Sequence, residues 1–442
     1  MRNISSLFIF ILLLLPFSCT ENLEDLNVNP NQPESVDAGV LLTSAIRSTM
    51  NSSVMEGFLI GNNAAQLTAK TLRTEVDIYS WNAFPTVWEA FYLGIANLDE
   101  AERSAAAAGN ANMQGIAKVM KAWSFSVLTD AYGDVPYREA VSGVTSGNYT
   151  PVYDTQESIY SGTGGLLEEL SSAYSMLGTG GAVSGDIIYG GDVAKWKKLA
   201  NALSLRLLLH LSNKTDVSAA FNQIVNSGDL MESNADGAAL AYLGSFPNEF
   251  PLIPLKVGDF DAVVLSDRSV SVMQQYNDPR LMVFGRPDNL DFEAPQFSGA
   301  TNGSENADAC SKSGSRLGLA YFDYPGHPVQ SSHAEGLLLT FAEQQFILAE
   351  AAQKGIISGD AAAYYKSGIK ASMDYYGVDY NTFGYTDFED YYNNSGVAYT
   401  GELVQLWEQK WLALFFTGLE PYFEVRRWMH ESGFDWDAIP FL

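Results

Sequence analysis

Apolar residues recur at three- and four-residue intervals along most of the chain. Ile116, Val119, Met120, Trp123, Val127 and Ala131 fall on one helical face, and Gly133 and Pro136 end that segment. Trp196, Leu199, Leu203, Leu207 and Leu211 repeat the pattern between Val193 and Leu211. The remaining faces carry Leu205, Leu208 and Leu209, so the spacing predicts a helix buried nearly all round. Similar periods predict helices at about 38–50, 55–70, 86–104, 155–177, 335–354, 360–376 and 401–417. Sustained period-2 alternation, the mark of half-buried strands, is nearly absent. Several neighbouring segments lie close enough to form antiparallel hairpins. The expected fold is mostly α, built from paired helices.

Between about 228 and 330 the character changes. SFPNEFPLIP, GRPDN and DYPGHP bring Gly, Pro, Asn and Ser, and helical periods become few. A loop-rich excursion of that length inside a helical protein is commonly functional. The expected organisation is one helical domain over 37–442 that carries this stretch as an inserted lobe.

The first residues read as a targeting segment. Arg2 precedes an apolar run from Leu7 to Phe17, too short to span a bilayer, and Ser18-Cys19 follows. A small residue before a cysteine is the junction at which bacterial lipoproteins are cleaved and acylated, although Pro16 and Phe17 depart from the usual residues there. Residues 1–18 are therefore expected to be a signal peptide and Cys19 the lipidated residue. The polar, acidic, proline-bearing stretch after it makes 19–36 a tether. No later stretch is long and apolar enough to span, so the expectation is an anchored protein.

Charge narrows the partners. The 442 residues carry 25 Lys+Arg against 52 Asp+Glu, a net charge of −27, with 47% hydrophobic residues. That composition excludes a disordered chain. The missing basic surface argues against nucleic acid and against anionic lipid. Two cysteines make no disulfide framework and no zinc site.

Catalytic motifs are largely missing. There is no GxSxG, HExxH, phosphate-binding loop or GxGxxG. Glu343 and Glu350 are seven apart on one predicted helix face, but apolar neighbours favour pairing with arginine over glycoside hydrolysis. His210 ends a leucine-rich helix and reads as a core residue, and His430 as a terminal cation. His327 and His333 lack a third nearby metal ligand. Asp288, Asp291 and Glu293, or Asp387, Glu389 and Asp390, lack the calcium-loop spacing. Cys310 has no basic activator. No cofactor, metal or catalytic residue is expected.

Aromatic residues carry more. Trp88, Trp123, Trp196, Trp407 and Trp411 fall on predicted helices and are expected in the core. Tyr79 and Trp81 lie in VDIYSWNAFP, before Pro85 and a helix, and Phe292, Phe297, Tyr321, Phe322 and Tyr324 lie among loop residues. Exposed rings of this kind stack on sugar faces or hold peptide side chains while nearby Asp, Asn and Arg supply hydrogen bonds. These seven are the candidate ligand-binding residues.

Ordered segments along nearly the whole chain resemble the SusD/RagB family of outer-membrane nutrient-binding lipoproteins, in its SusD-like branch. They include LEDLNVNPNQP after Cys19, VWEAFYLGIANLDEA (87–101), KVMKAWSFSVLTDAYGDVPYREA (118–140) and DIIYGGDVAKWKKLANALSLRLLLHLS (186–212). SVMQQYNDPRL (271–281), FAEQQFILAEAAQKG (341–355) and EQKWLALFFTGLEPYFEVRRW (408–428) follow. The resemblance implies tetratricopeptide-like helix pairs under a loop-rich face. It also implies a lipid-anchored outer-membrane protein that captures oligosaccharides or peptides for a SusC-type TonB-dependent transporter. Family members continue past the stretch resembling GFDWDAIPFL, so a departure in terminal packing is expected here. The rival reading is a secreted glycan-active hydrolase on an all-helical scaffold, which differs by cleaving its ligand. A purely structural surface scaffold would bind no nutrient saturably.

Overall fold

The computed structural model describes residues 36–80, 85–304, 314–318 and 334–431. Helix α1 (Ala38–Glu56) is followed by a strand β1 (Thr68–Lys70) and by α2 (Pro85–Ala107) and α3 (Ala111–Tyr132), with α1 packed on α2 and α2 on α3. Short α4 (Gln156–Ser161) leads into α5 (Leu166–Met176), which packs between α3 and α6 (Val193–Leu211). Helix α7 (Ser218–Ser227) folds back on α6. The lobe contributes β2 (Ala238–Ala241), β3 (Val263–Leu265) and α8 (Asp267–Gln275). The chain then returns through β4 (Glu335–Leu339) to α9 (Phe341–Gln353), α10 (Ala361–Tyr376), α11 (Leu403–Ala413) and α12 (Glu420–Met429). Helix α9 packs on α6, α10 and α11, so helices before and after the lobe share one scaffold.

Helix starts carry the caps that such ends require. Asn110, Thr155, Asp192, Thr340 and Asp360 each accept a hydrogen bond from a backbone N–H in the first turn of α3, α4, α6, α9 and α10. Each satisfies a donor the helix itself leaves open. The α6 range matches the sequence expectation, and its buried residues include Trp196 and Leu199 through Leu209. One large core gathers α1 to α6, with Ile116, Met120, Trp123 and Leu203. A second joins α9 to α12 to the lobe through Phe260, Val263, Leu265, Met273, Phe284 and Leu317. The lobe residues are thus packed on the scaffold.

Three predicted helices differ. Residues 335–339 form β4, antiparallel to β2, because Leu337–Leu339 find backbone partners there and Thr340 starts α9 only afterwards. The 155–177 segment breaks between α4 and α5, where Gly162 and Gly165 crowd neighbouring carbonyls too closely for a Cβ and Gly164 takes a positive φ. The 55–70 segment ends its helix by Ala64. A wide π turn at Gly57–Gly61 lets the backbone meet Gly418, and a Cβ on Gly61 would lie 2.1 Å from the Gly418 carbonyl oxygen. Asn62 and Asn63 then donate back to the Gly57 and Phe58 carbonyls, and the chain turns into β1. Helices α7, α8 and α12, nine or ten residues each, fall outside the ranges the periodicity gave. No described helix is long and apolar enough to cross a membrane.

Candidate ligand-binding face

The β1·β3 pair is the girder of the loop face. Thr68, Ala69 and Lys70 pair with Leu265, Val264 and Val263. Val264 bridges Arg316, Ser266 bridges Ala300 and Gly285 bridges Leu317, so five segments join one ladder. Asn302 donates to the Thr68 carbonyl at 2.8 Å, and the Thr71 N–H donates to Ala262. Asp261 ties the far side together, facing Arg316 at 2.6 Å and Arg286 at 3.5 Å.

This ladder holds the chain leading into both aromatic segments. The Asp77 carboxylate accepts the Lys70 N–H, which folds residues 71–80 onto β1. Tyr79 follows at 44% exposure with φ of 52°, a left-handed conformation costly for a bulky residue, and its hydroxyl donates to Ala64 at 2.6 Å. Its body stays half open to water. Trp81, Tyr321, Phe322 and Tyr324 lie outside the described residues, as do Cys19, Cys310, His327 and His333.

Phe292 is 54% exposed at the tip of a turn from 288 to 297. Asn289 accepts the Asp291 and Gln296 N–H groups, and Asp291 accepts those of Glu293 and Ala294. Asp288 accepts hydroxyls from Ser298 and Ser315. The acids considered for calcium here are therefore turn-builders engaged with separate partners. Asp387 and Asp390 serve likewise, capping the turn at 386–390. Phe297 differs from Phe292. It packs against the C-terminal core and lines a cleft of about 400 Å³ with Met273, Gln274, Asn277 and Phe383. Tyr79 and Phe292 thus stand open, one on the segment after β1 and the other on the lobe, while Phe297 backs the turn.

A buried charge network joins α6, α9, α11 and α12. Arg206 grips Glu343 with two hydrogen bonds, 2.6 and 2.7 Å. Arg427 grips Glu350 with two of 2.7 Å and also binds Glu424. Both glutamates are thus paired with arginine, as their spacing predicted. Burial pushes the Glu350 carboxyl up, but Arg427 and Lys354 outweigh it and hold the pKa at about 2. His210 places Nδ1 3.2 Å from Asp130 and Nε2 3.1 and 3.2 Å from Glu420 and Glu424. Burial disfavours its charge, yet Glu420, Asp130 and Glu424 hold its pKa well above the usual value. His210, Glu420 and Glu424 have the spacing of a metal-ligand set. Lys410 and Arg427 already occupy Glu424 at 2.8 Å each, and Arg206 stands 3.7 Å from Glu420, so a divalent ion would meet three fixed cations. The imidazolium takes that place.

One aromatic group escaped the sequence reading. Trp196, Trp407 and Trp411 are fully buried and Trp123 nearly so, but Trp88 is only half buried. Its ring meets Tyr92 tilted at 4.8 Å and Tyr132 edge-on at 5.4 Å, and stacks with Tyr153 at 6.2 Å. The i,i+4 spacing of Trp88 and Tyr92 was the available signal.

The scaffold is thus built of paired helices under an open loop face, with Glu343 and Glu350 held in arginine pairs. The sequence pattern of the SusD-like family described as "Starch-binding associating with outer membrane" matches residues 30–431, and the chain belongs to that family. The fold is similar to a Bacteroides vulgatus outer membrane protein described as involved in nutrient binding, with TM-score 0.75, 29% identity and 92% of each chain covered. A SusD homologue from Bacteroides fragilis gives 0.71 at 25% identity, covering 90% of this chain and 88% of that one. A chitin-binding SusD homologue from Flavobacterium johnsoniae shares the fold at 0.71 and 20% identity, over 89% and 87%. Among curated proteins no match is found.

Proposed function

We propose that the protein is a surface-exposed lipoprotein that captures oligosaccharides or similar nutrient oligomers and delivers them to a SusC-type TonB-dependent outer-membrane transporter. Family membership over 402 of the 442 residues carries this reading. Two features of the site support capture over hydrolysis. The acid pair that a glycosidase reading would use, Glu343 and Glu350, is fully buried and gripped by arginines. Tyr79 and Phe292 stand open on the loop face, whereas Trp81, Tyr321, Phe322 and Tyr324 belong to segments that the same ladder flanks. These six form the recognition surface, with Phe297 as backing. The test is a glycan and peptide array probed with the purified protein. Saturable binding weakened by Trp81→Ala and Phe292→Ala supports the reading, and binding indifferent to both moves the site elsewhere.

Anchorage rests on the apolar run that ends at Ser18-Cys19. Cys19→Ala is expected to abolish incorporation of a labelled fatty-acid analogue and to release the protein from membranes, since stable attachment needs acyl chains. Labelling that persists in the variant contradicts lipidation at this residue.

A further inference from the structure

We propose that Trp88, Tyr132 and Tyr153 form a second stacking site, for the pyranose rings of an uncharged oligosaccharide, beside the loop face. The three rings come from α2, the end of α3 and the loop before α4, and they converge without forming core. Tyr153 is 63% exposed and stacks on the half-buried Trp88 with the two planes 28° apart, so the Tyr153 ring, backed by Trp88, is the part of the group open to water. Tyr132 is 37% exposed and meets Trp88 edge-on at 82°. Rings placed only to fill the scaffold would be drawn inward, as Phe91 and Trp123 are beneath them.

The platform is held rigidly from behind. Asp154, next to Tyr153, exchanges backbone hydrogen bonds with Val135, and its carboxylate accepts from the Tyr137 and Arg138 N–H groups. Tyr92, under Trp88, donates to the Pro136 carbonyl at 2.6 Å. Thr86, two residues before Trp88, donates to the buried Glu56 carboxylate. Rings already fixed in place lose little freedom when a ligand stacks on them.

Chemistry and position choose the occupant. A pyranose presents a ring-sized C–H face rimmed by hydroxyls, which suits an exposed aromatic plane. Arg138, held beside the platform by the residue after Tyr153, is committed to Asp154. With a chain charge of −27 as well, uronic or sulfated glycans are repelled. Trp88 lies in the first turn of α2, three residues past Pro85, on the N-terminal side of the helix that follows the Tyr79 segment in sequence. The proposal rests on the capture reading and adds a site to it.

The experiment titrates the full chain with maltohexaose, cellohexaose, xylohexaose and chitohexaose, with a hexamer of galacturonic acid, and with neutral hexapeptides. At least one neutral hexamer is expected to bind and the acidic one not to. Tyr153→Ala is expected to weaken that binding about two- to tenfold with an unchanged melting curve, as befits an exposed ring. Tyr153→Phe keeps the ring and retains affinity. Leu93→Ala, on an exposed part of α2 away from Trp88, changes nothing. Neutral-glycan binding unaffected by Tyr153→Ala overturns the platform and leaves the capture reading standing. Absence of any glycan binding by the unaltered chain overturns the platform, and absence of peptide binding as well overturns the capture reading. Tyr153-dependent binding of peptides in place of sugars overturns the sugar assignment.

Discussion

Replacing Arg427 with Met is expected to lower stability by about 3–5 kcal/mol, the usual cost of leaving a buried charge without its partner. The guanidinium spends all its donors. Nε and one Nη2 hydrogen bond go to Glu424, Nη1 and Nη2 bind Glu350 at 2.7 Å, and Nη1 also reaches Glu431. Met fills much of the same space but leaves Glu350 and Glu424 in the interior with fewer cations. Lys354 remains for Glu350, and Lys410 with His210 for Glu424, which keeps the loss from being larger. Arg427→Lys should fall between, because an ammonium cannot grip two carboxylates bidentately. Denaturant unfolding of the three proteins measures it. Equal midpoints would mean that the network contributes nothing.

Trp123→Ala is expected to cost about 3–5 kcal/mol, the range for deleting a core Trp or Phe. The residue is 2% exposed, lies on the stripe of α3 with Met120 and Ile116, and its ring sits 5.4 Å from Phe91. Rigid packing of α2 on α3 leaves little scope for the hole to collapse. Thermal unfolding is the readout. An unshifted transition would refute the burial of Trp123 and with it the phasing of α3.

Those two residues illustrate what was legible in advance. The stripe of Trp123 and the all-round burial of α6 were readable because helical burial repeats locally every three to four residues. Glu343 and Glu350 were readable as an arginine-paired face, yet Arg206 and Arg427 lie far away in sequence and could not be named. The same limit explains β4. Leu337, Leu338 and Leu339 suit a buried strand or a buried helix equally, and β2, which decides the matter, is remote. At the candidate site, loop composition marked Tyr79, Phe292 and Phe297 alike. Neighbours then separated them, since an Asn289–Asp291 turn lifts Phe292 outward and the C-terminal core draws Phe297 in. Trp88 fits the apolar period of α2, but it stands in the first turn, where neighbouring elements only half cover it.

Capture without cleavage is tested most directly by titrating the best array ligand into the purified protein in a calorimeter, then resolving the recovered ligand by chromatography after prolonged incubation. The expected result is saturable binding with the oligomer recovered at its original length. Progressively shortened products that vanish on heating the protein would contradict it and make the protein a glycan hydrolase.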